Sequence, residues 1–193
     1  MGLKNPKEIY DHAIKNDYAL GAFNTFSLET ALAVMDAAEE MRSPAIIQVS
    51  MGARKFVKNL DVYVEMLRRL ADKYEVPFFI QHDHCPTVEA CKEAIEAGCQ
   101  SVMFDGSHLP YEDNVEQTKE IVEYAHKRNI WVEAELGCLP GFEDFVFAEK
   151  AVYTNPQKAK EFIALDVMHW QWQSELLMEV CAEMITYHWI WSL

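Results

Sequence analysis

Apolar residues along this chain gather into short continuous runs, each ending abruptly on a polar or ionisable side chain. Tyr18–Phe23 ends at Asn24, Ala45–Val49 at Ser50, and Phe78–Ile80 at Gln81-His82-Asp83-His84. Ser101–Phe104 ends at Asp105, and Ile130–Val132 leads into Glu133-Ala134-Glu135. Runs without alternation are expected of parallel strands covered on both faces. The stretches between them carry a helical period. Ser27 caps a segment with Leu28, Ala31, Leu32, Met35 and Ala38 on one stripe, stopped by Ser43-Pro44. A helix over about 57–74 places Leu60, Val64, Leu67 and Ala71 on one face. Pro86-Thr87 opens another, with Val88, Cys91 and Ile95 inward and Gly98 as its stop. Pro110 precedes a helix aligning Val115, Val122 and Ala125, and Lys7–Lys15 forms one before the first strand.

Strands alternating with single helices predict βαβ units, and so a doubly wound sheet or a (β/α)8 barrel. The first strand lacks the GxGxxG turn of dinucleotide-binding sheets. Ionisable residues instead recur at successive strand ends, which is how barrel active sites are built. The expected fold is therefore α/β, a (β/α)8 TIM barrel truncated after about five strands, since a complete barrel needs eight. From about Leu165 the pattern stops: there is no Gly or Pro, four of the five tryptophans crowd together, and Asp166–Leu193 shows no helical or strand period.

Composition narrows the function classes. A net charge of −14 opposes binding to a nucleic-acid backbone or an anionic membrane. No uncharged run reaches the ~20 residues a membrane span requires. The N-terminus has no apolar signal-peptide core. Five cysteines without a CxxC pair fit a reduced, cytoplasmic setting.

Asp83, His84, Asp105 and Glu135 are the candidate chemistry. At a strand end the turning chain lets the adjacent Asp83 and His84 reach one cavity, and imidazole with carboxylates suits zinc, manganese or cobalt. A single strand-end Asp is ordinarily a cap or turn residue; four ionisable residues at three successive strand ends point to a metal or acid–base site. Gly137-Cys138-Leu139-Pro140-Gly141-Phe142-Glu143-Asp144 has the composition of a mobile loop, from which Glu143 could act as acid or base. Asn24 and Ser50 suit a phosphate or hydroxyl, although both residue types also cap helices.

Gly21-Ala22-Phe23-Asn24, Gln81-His82-Asp83-His84, Ser101-Val102-Met103-Phe104-Asp105 and Val132-Glu133-Ala134-Glu135-Leu136-Gly137 together resemble the class II, metal-dependent ketose-bisphosphate aldolases, which include the fructose- and tagatose-bisphosphate enzymes. The resemblance spans about residues 3–163. It implies a barrel lyase that cleaves a ketose bisphosphate to dihydroxyacetone phosphate and an aldehyde, with Zn2+ stabilising the enediolate. By the same resemblance Asp83 is the proton donor at the C4 hydroxyl and His84 a zinc ligand. Asp105 and Glu135 line a secondary metal position. Glu143 exchanges the proton on the dihydroxyacetone carbon, and Asn24 and Ser50 contact substrate. Family members are cytoplasmic homo-oligomers.

The family's two further zinc histidines, one in a Gly-Thr-Ser-His-Gly stretch, and its later phosphate site are absent. Read back into codons and moved by one base, Leu165 onward permits GCDALAVAIGTSHGGVCGDDYLPLDLE. Met168, Trp170 and Trp172 are forced to Ala, Met178 to Gly, and Met184 and Trp189 to Asp, all family-like. The expected organisation is thus residues 1–164 as the N-terminal part of an aldolase barrel and 165–193 as an out-of-frame tail. Such a chain would hold zinc poorly and be inactive. The alternative from another class is a non-catalytic barrel fragment that associates with an intact subunit.

Overall fold

The computed structural model describes residues 2–137, 141–143, 146–148, 154–165 and 169–172. Helix α1 (Pro6–Lys15) precedes strand β1 (Gly21–Asn24), and α2 (Leu28–Met41) leads to β2 (Ala45–Val49). Two helices, α3 (Met51–Val57) and α4 (Leu60–Ala71), separate β2 from β3 (Phe78–Cys85). Then come α5 (Val88–Glu96), β4 (Ser101–Phe104), α6 (Tyr111–His126) and β5 (Trp131–Leu136). A two-stranded antiparallel ribbon, β6 (Gly141–Glu143) with β7 (Val146–Ala148), is followed by α7 (Pro156–Ile163) and β8 (His169–Trp172). The main sheet is parallel in the order β1-β2-β3-β4-β5-β8.

Helix boundaries follow local chemistry. The Asn5 side chain accepts the Lys7 N–H ahead of Pro6 at the first turn of α1. Ser27 and Thr30 form a reciprocal capping box at α2, and Arg42 ends that helix in the left-handed region at φ 51°. Thr87 caps α5, and Gly98 follows it at φ +100°, a conformation that favours glycine.

Three departures from expectation concern the main sheet and its helices. The helix expected over 57–74 is shorter, and α3, under two turns long, precedes it; seven residues hold too few turns for a hydrophobic period to register. The α7 helix carries a start signal, with Asn155 accepting from the Gln157 and Lys158 amides and Pro156 in the first turn. The third is β8, which lies within the stretch that shows no period. The edge of β5 presents unpaired backbone groups, and a four-residue segment pairs with it from Glu133↔His169 to Leu136↔Trp172.

Burial divides into two layers, one on each face of the sheet. Ala45, Ile47, Val49, Phe78, Ile80, Val102, Phe104, Val132 and Ala134 pack outward against the helices. Ile46, Phe79 and Trp131 point the other way, onto Ile9, Tyr10 and Ala13 of α1 and onto Leu20. The Tyr10 ring stacks on Trp131 at 5.2 Å and meets Phe79 at 5.5 Å, so α1 plugs the floor of the curved sheet. Among the described residues, β1 and β8 are the two sheet edges, and no helix is long and apolar enough to cross a membrane.

Candidate metal centre

The carboxyl ends of β1–β5 share the inner face, opposite the floor. In β3, Phe78 and Ile80 face the helices while Phe79 faces inward. Strict alternation would turn His84 outward, away from Asp83. It does not, because β3 is interrupted: His82 pairs with Val102 and Cys85 with Phe104, three steps on one strand against two on the other. This is a β-bulge. His84 absorbs it at φ 45°, a left-handed conformation uncommon for residues other than glycine. Asp83 and His84 therefore both reach the cavity. The sequence-based expectation had the strand already ending here; the strand instead continues to Cys85, and an inserted residue brings the pair together.

A belt of amides holds Asp83. Gln48 Nε2 donates to Asp83 Oδ1 at 3.1 Å, and Asn24 Nδ2 lies 3.4 Å from Oδ2. The same Gln48 amide donates to Gln81 Oε1 at 2.9 Å, and Gln81 Nε2 donates to Glu133 Oε2 at 2.7 Å. Gln48, Gln81 and Glu133 had no assigned role from sequence. Their signal was available: each lies two residues before a strand-end candidate (Ser50, Asp83, Glu135), hence on the inner face when the strand is regular.

His84, Asp105 and Glu135 come together, each offering a donor atom within 4.8 Å of the others. His84 Nδ1 lies 3.2 Å from Asp105 Oδ2 and 3.7 Å from Glu135 Oε2. Ser107 donates to the other Asp105 oxygen through its backbone N–H at 3.1 Å and its hydroxyl at 2.5 Å. Burial alone would lower the His84 pKa. The hydrogen bond to Asp105 and the charges of Asp83, Glu135 and Asp105 outweigh that and raise it to about 10. For Asp105, burial pushes upward, but the His84 and Ser107 hydrogen bonds prevail and hold the carboxyl below its ordinary range.

This donor set fits a divalent cation. One imidazole and two carboxylates match zinc-type ligation, and a tetrahedron with ~2.1 Å bonds has edges of about 3.4 Å. The separations from His84 Nδ1 to the Asp105 and Glu135 oxygens, 3.2 and 3.7 Å, bracket that value. Three protein donors also leave a position open for substrate or water. Of the other candidates, Asn24 joins the group through Asp83, whereas the Ser50 hydroxyl accepts the Ala53 N–H at 3.2 Å as the cap of α3. The backbone of Glu143 ends β6, and its side chain lies outside the described residues, as do Cys138–Pro140 and Asp144 of the expected loop.

The family model for class-II fructose-bisphosphate aldolase matches residues 4–169. The chain belongs to the class II fructose-bisphosphate aldolase family. It is 42% identical over 165 residues to the fructose-bisphosphate aldolase of Geobacillus stearothermophilus and 41% identical to that of Staphylococcus epidermidis. Each alignment covers 84% of this chain and 58% of the relative, so the chain spans less than two thirds of the length of these curated aldolases. Among solved structures, the YdjI aldolase of Escherichia coli K12 superposes with a TM-score of 0.72 at 32% identity, covering 84% of this chain and 57% of the other. The fructose-bisphosphate aldolase of Campylobacter jejuni gives 0.69 at 25%, covering 85% and 55%. The aldolase fold of these neighbours is the TIM barrel, of which this chain holds a part.

For an aldolase-family metal site the protonated His84 has a measurable consequence. At pH 7–8, below its pKa of about 10, His84 carries a proton that a metal must displace, while Asp105 is already ionised. Zinc titration at pH 7–8, followed calorimetrically in buffers of different ionisation enthalpy, is expected to release about one proton per ion. Affinity then weakens roughly tenfold for each pH unit lowered. A release of zero would show that His84 is neutral or is not a ligand.

Proposed function

We propose that the strand ends form the N-terminal part of a zinc-dependent ketose-bisphosphate aldolase site, with dihydroxyacetone phosphate and glyceraldehyde 3-phosphate as the products of cleavage. The observation that carries this reading is the convergence of His84, Asp105 and Glu135 within 4.8 Å, beside an Asp83 whose two oxygens are both engaged by amides. His84, Asp105 and Glu135 would hold the cation. Bound there, it would supply Lewis-acid polarisation of the ketose carbonyl. Asp83 takes and returns the proton of the C4 hydroxyl, with Gln48 and Asn24 fixing its carboxylate plane. Glu143 exchanges the proton at the dihydroxyacetone carbon. Asn24 and Ser50 contact the substrate hydroxyls and phosphate. A cytoplasmic setting goes with this chemistry.

The chain taken alone is proposed to be inactive, because the cluster contains one histidine and the later zinc histidines and phosphate site of the family are missing. Residues 165–193 read as an out-of-frame tail of an aldolase gene, and sequencing the locus tests that: a downstream frame that continues the barrel is expected. A second reading, a fragment that associates with an intact subunit, is favoured by the two open edges β1 and β8 among the described residues. One assay separates the readings. Cleavage of fructose 1,6-bisphosphate that EDTA abolishes makes the chain an enzyme. Silence with co-purifying full-length aldolase makes it the fragment.

A further inference from the structure

We infer that His82 is a positioning residue, a clamp on the outer side of the sheet that maintains the β3 bulge and thereby the inward placement of Asp83 and His84. The inference rests on the metal-site reading only in that Asp83 and His84 are the groups it places.

His82 and Cys85 flank the inserted step. Cys85 lies in the layer between sheet and helices with Cys91 of α5, and the parity of β3 puts His82 on that same face. In a regular strand, residues three apart would lie on opposite faces. Here they touch: Cys85 Sγ is 3.2 Å from His82 Nδ1. The same nitrogen lies 3.2 Å from the carbonyl oxygen of Asp83, inside the bulge. A carbonyl can only accept, so as a hydrogen bond this contact places the proton on Nδ1, with the Cys85 sulfur beside it as a second, weak acceptor. The bulge takes Asp83 out of the regular ladder, and the imidazole N–H supplies a donor to its carbonyl. The His82 ring is 0% exposed, and its Nε2 has no hydrogen-bond partner among the described residues. A buried polar ring with one nitrogen unsatisfied is costly. That cost is offset by what the other nitrogen does. His84 also sits in the left-handed region, at φ 45°, and a strained backbone of this kind persists only where its surroundings over-determine it. The His82–Asp83 carbonyl contact is one such constraint, acting from the outer face while the His84–Asp105 bond acts from the inner one.

Asn places an amide N–H where the His Nδ1–H lies, whereas Gln places its amide where Nε2 lies and Leu offers no donor. Zinc affinity of the full chain, measured by competition with a chromophoric chelator, is expected to fall roughly 10–100-fold in His82→Leu and His82→Gln, the range for losing a group that orients a ligand. His82→Asn is expected to stay within about threefold of the parent, since it restores the same donor. Equal losses in all three variants would mean a general packing defect and would overturn the proposal, as would a His82→Leu chain that binds like the parent. A second measurement needs no metal. Long-range proton–nitrogen spectra of the imidazoles in the metal-free chain should show His82 protonated on Nδ1, with the His84 signals preserved in His82→Asn and displaced in His82→Leu. A proton on His82 Nε2, or unmoved His84 signals in the Leu variant, overturns the clamp. If the parent chain itself takes up no zinc, the metal reading fails, and these spectra still decide the role of His82.

Discussion

His84→Ala is expected to abolish zinc retention at the strand ends and to lower the stability of the metal-free chain by about 3–5 kcal/mol near pH 6, the usual cost of removing one partner of a buried ion pair. The metal loss should exceed the roughly 10–100-fold seen when only a ligand-orienting neighbour is changed, because a donor atom itself is gone. The stability loss has an electrostatic origin. The imidazolium lies against Asp105 at 3.2 Å and Glu135 at 3.7 Å, and its removal leaves carboxylates facing one another. The pH dependence follows from the two shifts. The folded-state pKa of His84, about 10, is raised above the ordinary 6.5, so its contribution is complete below 6.5 and disappears as pH climbs through about 10. Asp105 is shifted down from 3.8, so its contribution is present above 3.8 and lost as pH falls through the lower folded value. Urea denaturation of both chains should therefore show the widest gap at pH 5–6, closing toward pH 10. A gap that does not vary with pH would assign the loss to packing rather than charge.

Phe79→Ala is expected to cost about 3–5 kcal/mol, as full truncation of a buried aromatic ring does. Phe79 is 0% exposed and lies between Ile46, Leu20, Trp131 and the Tyr10 ring of α1. Its loss opens a cavity in the floor, where the adjoining β-strand backbone cannot collapse to fill the space. For a domain whose net stability is about 5–15 kcal/mol, that is a large share. A shift in the urea midpoint without change in slope measures it. Phe56→Ala provides the contrast: Phe56 is 68% exposed, and its replacement should fall within about 0.5 kcal/mol. Comparable losses for the two would contradict the two-layer description of the core.

Strand and helix types were legible because each kind of burial writes its own spacing. The apolar runs Ala45–Val49 and Ser101–Phe104 coincide with β2 and β4, Ser27 caps the helix it was expected to cap, and the helix that Pro86-Thr87 was expected to open starts there. The convergence of His84, Asp105 and Glu135 was legible for the same reason, since parallel strands deliver their carboxyl ends to one side of a barrel. What spacing could not convey was the bulge in β3. Gln81-His82-Asp83-His84 is a polar tetrapeptide that resembles a loop, and only backbone pairing reveals it as strand. The amide belt was legible only in part: its positions lie two residues before strand-end candidates, but the partners of Gln48 and Gln81 lie 33 to 52 positions further along the chain. The β8 strand draws on an edge of the sheet rather than on a period of its own.

The strand order β1-β2-β3-β4-β5-β8 is also the order of synthesis. Each strand pairs with the one made just before it among those of the main sheet, so a nascent polypeptide can build this sheet by accretion, with no early segment waiting for a distant late one. The candidate metal-binding trio is complete once Glu135 has emerged from the ribosome. Ion capture could accompany translation rather than follow it.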